Sequence, residues 1–174
     1  MHSKLSMKFK NYYLSFLIAL IIASCKKPDE FPIVPVITYK EIYTSRNAQG
    51  FDQKITVVLS FTDGDGDVGY KATGQNDPIF DDPTSQYYNN YIAKLFQFTN
   101  GTWVEYPTIL PLGGRLPYLT PTGKNKTLKG DISCDIDVPP QSLQDTFRLD
   151  VFIYDRALHQ SNTVTTSAII LNSQ

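Results

Sequence analysis

Ile55-Thr56-Val57-Val58-Leu59-Ser60-Phe61-Thr62-Asp63-Gly64-Asp65-Gly66-Asp67-Val68-Gly69 holds the pattern that decides the fold. In its first half, Ile55, Val57, Leu59 and Phe61 recur every second residue, so in an extended backbone they share one face. A strand with one buried face follows. The same period-two pattern returns at Phe147, Leu149, Val151 and Ile153, and these two segments are the best strands in the chain. A third strand is predicted from Leu128 to Val138, with Ile132, Cys134, Ile136 and Val138 on its apolar side. A fourth, from Thr163 to Leu171, is rich in Val, Ile and Thr. A first strand is expected near Val36 to Tyr43.

The interval from Tyr91 to Tyr106 reads as a hairpin. Asn100-Gly101 supplies the two positive-φ residues of a type I′ turn, strand formers flank it, and Trp103 is expected to pack there. With a weak strand near Arg115 to Leu119, the total reaches about seven or eight. No window shows a sustained 3.6-residue period, and 11 Pro with 10 Gly interrupt the chain too often for long helices. The fold class expected is all-β, an immunoglobulin-like sandwich of two packed sheets. From Val68 to Asn90 the rhythm fails. That stretch is long for a connection inside a compact domain, so it is either functional or loose.

The second half of the opening stretch carries the chemistry. Asp63, Asp65 and Asp67 alternate with glycine, so three carboxylates can curl around one point. Two carboxylates 4 Å apart repel by about 4 kcal/mol at an effective dielectric near 20. A loop that gathers three is therefore strained unless a cation joins them, and Ca2+, which takes six to eight oxygens, is the expected guest. The pattern is not an EF-hand, which wants glycine where Val68 stands and glutamate where Gly74 stands. Asp155, at the end of the Phe147 to Ile153 strand, is the candidate fourth ligand, because in such a sandwich its turn falls at the same end. The alternative is ordinary turn chemistry: solvated aspartates in the loop, and Asp155 capping backbone N–H groups or pairing with Arg156.

The first residues read as an address. Lys4, Lys8 and Lys10 precede an apolar run from Tyr12 to Ala23, which ends in Ile22-Ala23-Ser24-Cys25. Twelve helical residues reach only about 18 Å at ~1.5 Å each, short of the ~30 Å hydrocarbon core, so cleavage is favoured over a permanent span. The tetrapeptide resembles a bacterial lipobox, which implies a lipid thioether on Cys25 and anchoring to a membrane. The organisation expected is a signal peptide over 1–24, lipidated Cys25 and a tether over 25–35, and a β domain over 36–174. Asp29-Glu30 is similar to acidic signals that send lipoproteins to the outer face of the outer membrane. With Cys25 lipidated, Cys134 has no intrachain disulfide partner and is expected in the core.

Composition narrows the function. The 174 residues carry a formal charge of −1, which falls to −4 once cleavage removes three lysines, so the basic excess needed for a nucleic-acid partner is missing. All but three of the 17 acidic residues are Asp, a turn former rather than a helix former. Beyond Cys25 the only histidine is His159, which leaves no multi-histidine zinc site, and no phosphate loop or G-x-S-x-G elbow is present. A Ser-His-Asp triad would need Asp155, His159 and Ser161 from a single turn. An enzyme is not expected.

At these residues the chain resembles a group of uncharacterised lipoproteins of the Bacteroidetes. The likeness rests on the lipobox with Cys25, on Phe61 through Gly69, and on Asp155-Arg156-Ala157 followed by Ser161-Asn162. It implies an immunoglobulin-like sandwich on the cell envelope and brings no activity. His159 and Gln160 stand between Ala157 and Ser161, where related loops often read Asp-x-Ala-Gly-Asn. The function expected is a lipid-anchored surface module stabilised by Ca2+, with a binding or structural role and a glycan or protein as partner. Its rival is a carbohydrate-binding lipoprotein that uses exposed aromatics among Tyr87, Tyr88, Tyr91, Trp103, Tyr106 and Tyr118.

Overall fold

A computed structural model describes residues 30–108, 112–121, 126–137 and 144–172. The expected signal peptide and Cys25 lie outside the described residues, as does Val138, the expected last residue of the third strand. The described residues form nine strands and one helical turn: β1 (Val36–Arg46), β2 (Asp52–Asp63), α1 (Pro78–Asp81), β3 (Tyr91–Thr99), β4 (Thr102–Glu105), β5 (Leu112–Gly114), β6 (Leu128–Asp137), β7 (Gln144–Ile153), β8 (Val164–Thr165) and β9 (Ile169–Asn172). None of the described helices is long and apolar enough to cross a membrane.

The strands make two antiparallel sheets. One has the order β1-β2-β6. In the other, β3 and β7 are central, β4 and β5 share the free edge of β3, and β8 and β9 share that of β7. The alternation read from the sequence sets the inner faces. Ile55, Val57, Leu59, Phe61, Ile132, Cys134 and Ile136 from the first sheet meet Leu95, Phe147, Leu149, Val151 and Ile153 from the second in one buried cluster. Each such side chain contributes roughly 1.5–3 kcal/mol by leaving water. The chain is therefore the all-β sandwich expected.

The Asn100-Gly101 turn has φ of 52° and 82° and pairs Thr99 with Thr102, as a type I′ turn requires. Trp103 packs on Phe98 at 5.1 Å. Two strands differ from expectation. The segment from Thr163 to Leu171 is split into β8 and β9, because Thr166 engages Leu149 twice: its N–H donates to the carbonyl, and its hydroxyl accepts from the amide. The weak strand expected near Arg115 to Leu119 lies earlier, at β5, and Pro117 makes only an isolated bridge to Tyr70.

The long segment from Val68 to Asn90 is packed rather than loose. Tyr70, Phe80 and Asn90 are buried, the Tyr70 and Phe80 rings stack at 4.5 Å, and Arg115 lies over Tyr70 and Tyr88 while pairing with Asp81 at 3.1 Å. The segment read as tether also makes contact at its far end. Pro35 is buried, and the Pro32 carbonyl accepts the Gly64 N–H at 2.8 Å.

The registers bring one set of chain ends to a single pole. Val36 pairs with Thr62, Asp63 with Leu128, and Tyr91 with Ile153. Val68 bridges Asp155, and the Asn162 side chain both accepts the Ile37 N–H and donates to its carbonyl, which ties the two sheets together there. The Asn100-Gly101 tip is at the opposite pole.

Candidate metal centre

Asp63 is the last residue of β2 and keeps the strand's inward alternation, so its carboxylate is fully buried at the pole of the sandwich. The chain then turns tightly. The Asp67 N–H returns to Asp63 Oδ2 at 2.8 Å, which sets the two aspartates side by side. Glycine is required within this turn: Gly66 has φ of 70°, and a Cβ there would lie 1.8 Å from the Lys126 carbonyl oxygen. Val68 follows as a fully buried core residue, so the loop is anchored at both ends.

One carboxylate oxygen from each of Asp63, Asp65 and Asp67 falls within 4.8 Å of the others. Two oxygens on one Ca2+ are separated by at most about 5 Å, twice the metal–oxygen distance, so this spacing fits a single coordination sphere. The sequence-predicted trio is thus brought together and could hold a metal ion. Asp63 is buried, Asp67 is half-buried and Asp65 is exposed, so the cluster opens towards solvent on the Asp65 side.

Two atoms make this more than a surface acidic loop. Asp63 Oδ1 and Asp67 Oδ1 are buried and have no hydrogen-bond partner within the protein. A buried carboxylate oxygen without a donor is costly, and buried polar groups are overwhelmingly satisfied. The electrostatics agree. Burial, helped by the neighbouring Asp65 carboxylate, pushes the Asp63 carboxyl up to about 7 against the pull of the Asp67 amide. Burial and then the charges of Asp155 and Asp65 raise Asp67 to about 6, with Arg156 opposing. A cation would reverse both effects, and an all-carboxylate oxygen set suits a hard one.

Asp155 arrives at the same pole but is occupied differently. It is buried, and its two oxygens accept the His159 N–H at 2.7 Å and contact His159 Nδ1 at 2.9 Å. It lies beside the trio, close enough for its charge to raise Asp67, rather than within the group of three. The hydrogen bond and charge of Asp155 raise the pKa of His159. Ser161 does not extend this pair, because its hydroxyl donates to the Asn162 carbonyl and accepts from the Ile153 amide. Leu158 closes the turn with φ of 70°, a backbone region that favours glycine.

Arg156 holds this pole together in a way that sequence reading missed. Instead of pairing with a carboxylate, its guanidinium donates to the carbonyls of Val68 and Gly69 at 3.1 and 2.8 Å and stacks 4.3 Å over Tyr118. The Arg156 backbone N–H donates to the Asp67 carbonyl at 3.2 Å. It therefore staples the Asp loop to the β7–β8 turn. The only sequence signal was a basic residue directly after Asp155, which equally suggested an ion pair.

Of the six aromatics considered for a glycan platform, only Tyr118 is exposed, and it lies under Arg156. Tyr91 is buried with its hydroxyl donating to the Asp135 carbonyl, Tyr106 packs edge-on against Phe147, and Tyr87 packs edge-on against Tyr154. Tyr88 and Trp103 are half-buried and lie under Arg115 and Arg148. Comparison with known protein families, with curated proteins and with solved structures finds no match.

Proposed function

We propose that this chain is a lipid-anchored β-sandwich module of the cell envelope, held to a membrane through Cys25 and stabilised by Ca2+ bound at Asp63, Asp65 and Asp67. Asp155 supports the site from the side. The observation that carries the ion reading is the pair of buried, unpartnered oxygens on Asp63 and Asp67 within a three-carboxylate cluster. Ca2+ is preferred over Mg2+ because its shell tolerates irregular geometry and more protein carboxylates, whereas Mg2+ demands a near-ideal octahedron and is usually held by only one or two. Anchoring is supported by the sequence up to Cys25. The order of strands in the two sheets is compatible with the immunoglobulin-like arrangement, with β4/β5 and β8/β9 each serving as one edge strand. The role is one of binding or positioning at the surface. A glycan platform is not favoured, since its rings are spent on packing.

Differential scanning calorimetry with saturating Ca2+ and with chelator tests the ion. At a hundredfold excess over Kd, binding to the folded state alone adds about 2.7 kcal/mol, or roughly 5–10 °C for a domain of this size. Equal melting temperatures in Ca2+ and chelator would reject the site, and an equal response to Mg2+ would reject the choice of ion.

A further inference from the structure

The carboxylate trio leaves a metal shell incomplete. Asp63 Oδ2 already accepts the Asp67 amide, and Ca2+ takes six to eight oxygens, more than three carboxylates supply even with some bidentate. The shell has room for ligands from outside, and the open side is the one where Asp65 is exposed.

Three features of the same pole indicate what lies there. The incoming chain crosses the Asp loop, since the Gly64 amide donates to the Pro32 carbonyl. Only four residues separate Cys25 from Glu30, so a lipid on Cys25 sits at most about 18 Å of extended chain from the first described residue. Next to the loop, Ile33, Val34 and Val36 are 56%, 39% and 41% exposed, an apolar strip on a pole that also carries exposed Lys71, Lys126 and Lys129. Apolar side chains among lysines fit a phospholipid interface, where the former enter the headgroup region and the latter meet phosphate.

From this geometry we infer that the metal pole faces the bilayer, and that the ion bound by Asp63, Asp65 and Asp67 completes its shell with phosphate oxygens of lipid headgroups. The inference rests on the Ca2+ reading and on the anchor at Cys25, and gives that site its partner. The short tether confines the domain near the surface, and the shared ion then fixes which end stands on it. The Asn100-Gly101 hairpin tip is held away from the membrane, where a partner can reach it.

Thermodynamic reciprocity supplies the test: if headgroup phosphate ligates the ion, phosphate-bearing lipid must tighten Ca2+ binding. The mature lipidated protein is titrated with Ca2+ by calorimetry in maltoside micelles, which carry no phosphate. The titration is repeated in micelles doped with phosphatidylglycerol, in micelles doped to the same surface charge with an alkyl sulfonate, and in maltoside with inorganic phosphate, each corrected by a protein-free blank. The expected result is a Kd at least tenfold lower with phosphatidylglycerol than in plain maltoside, and a clearly smaller gain with sulfonate. Equal Kd values with and without phosphatidylglycerol would overturn the inference while leaving the Ca2+ site intact. An equal gain from sulfonate would overturn it in favour of surface potential alone, and a full gain from inorganic phosphate in favour of a soluble anion. Absence of Ca2+ binding in every micelle would remove both the inference and the site beneath it.

Discussion

Replacing Asp63 by asparagine should stabilise the metal-free protein at pH 8, although it removes a native side chain from a buried position. Burial raises the Asp63 carboxyl from 3.8 to about 7 in the folded state. At about 1.4 kcal/mol per pH unit, keeping it ionised above pH 7 costs the folded state a few kcal/mol, shared with the neighbouring Asp65 carboxylate. Because the folded-state value is raised, the folded protein binds more protons than the unfolded chain between pH 4 and 7, so stability in chelator falls as pH rises through that window and then levels off. Asparagine keeps an acceptor for the Asp67 amide and carries no charge, but its new amide donors need partners, and one left unsatisfied costs about 1–3 kcal/mol. The net gain expected at pH 8 in chelator is about 1–3 kcal/mol, an increase of ~3–10 °C in melting temperature. Thermal melts from pH 5 to 8 in chelator and in Ca2+ would measure it. The wild type should lose more stability with rising pH in chelator than in Ca2+, and Asp63→Asn should reduce that difference and weaken the response to Ca2+. A variant that melts at or below wild type at pH 8 in chelator would refute the reasoning, because Asp63 would then be stabilised by protein partners rather than waiting for an ion.

Other expectations concern the scaffold. Leu149 is fully buried in the cluster between the sheets, so Leu149→Ala should cost about 2–5 kcal/mol in urea denaturation, whereas Ile170→Ala, at a site 75% exposed, should stay within about 0.5 kcal/mol. Asn162→Ala strands both the amide and the carbonyl of Ile37 and should lower stability by about 1–3 kcal/mol, with faster hydrogen exchange at the start of β1. Burial pushes the Cys134 thiol up to about 12, so it should resist a thiol reagent at pH 8 in the native protein and react fully once unfolded.

Local pattern made much of the fold legible. Ile55 to Phe61 and Phe147 to Ile153 announce their buried faces because a strand's period is two residues, and Asn100-Gly101 announces its turn because few other pairs accept two positive φ angles. The cluster of Asp63, Asp65 and Asp67 was equally readable, since spacing and glycine set it within five residues. What could not be read depends on partners far along the chain. The Asn162 clamp reaches back 125 residues to Ile37, and Arg115 gathers Tyr70, Asp81 and Tyr88 into a packed cap from a stretch that by composition alone is indistinguishable from a loose loop. Asp155 shows a subtler limit. Its arrival at the pole of Asp63, Asp65 and Asp67 follows from the topology, but its engagement by His159 depends on a turn that Leu158 closes in a conformation favouring glycine, which no pattern of residue types would signal. The split of β8 from β9 occurs at a single residue, Thr166, whose N–H and hydroxyl both engage Leu149.

The most direct measurement is a crystal structure of the protein grown with Ca2+, with an anomalous difference map collected at a wavelength where calcium scatters. The account predicts one peak about 2.3–2.6 Å from oxygens of Asp63, Asp65 and Asp67, with further oxygens completing the shell on the Asp65 side. A map without a peak there, with Asp63 Oδ1 and Asp67 Oδ1 bonded instead to water or to a protein donor, would contradict it.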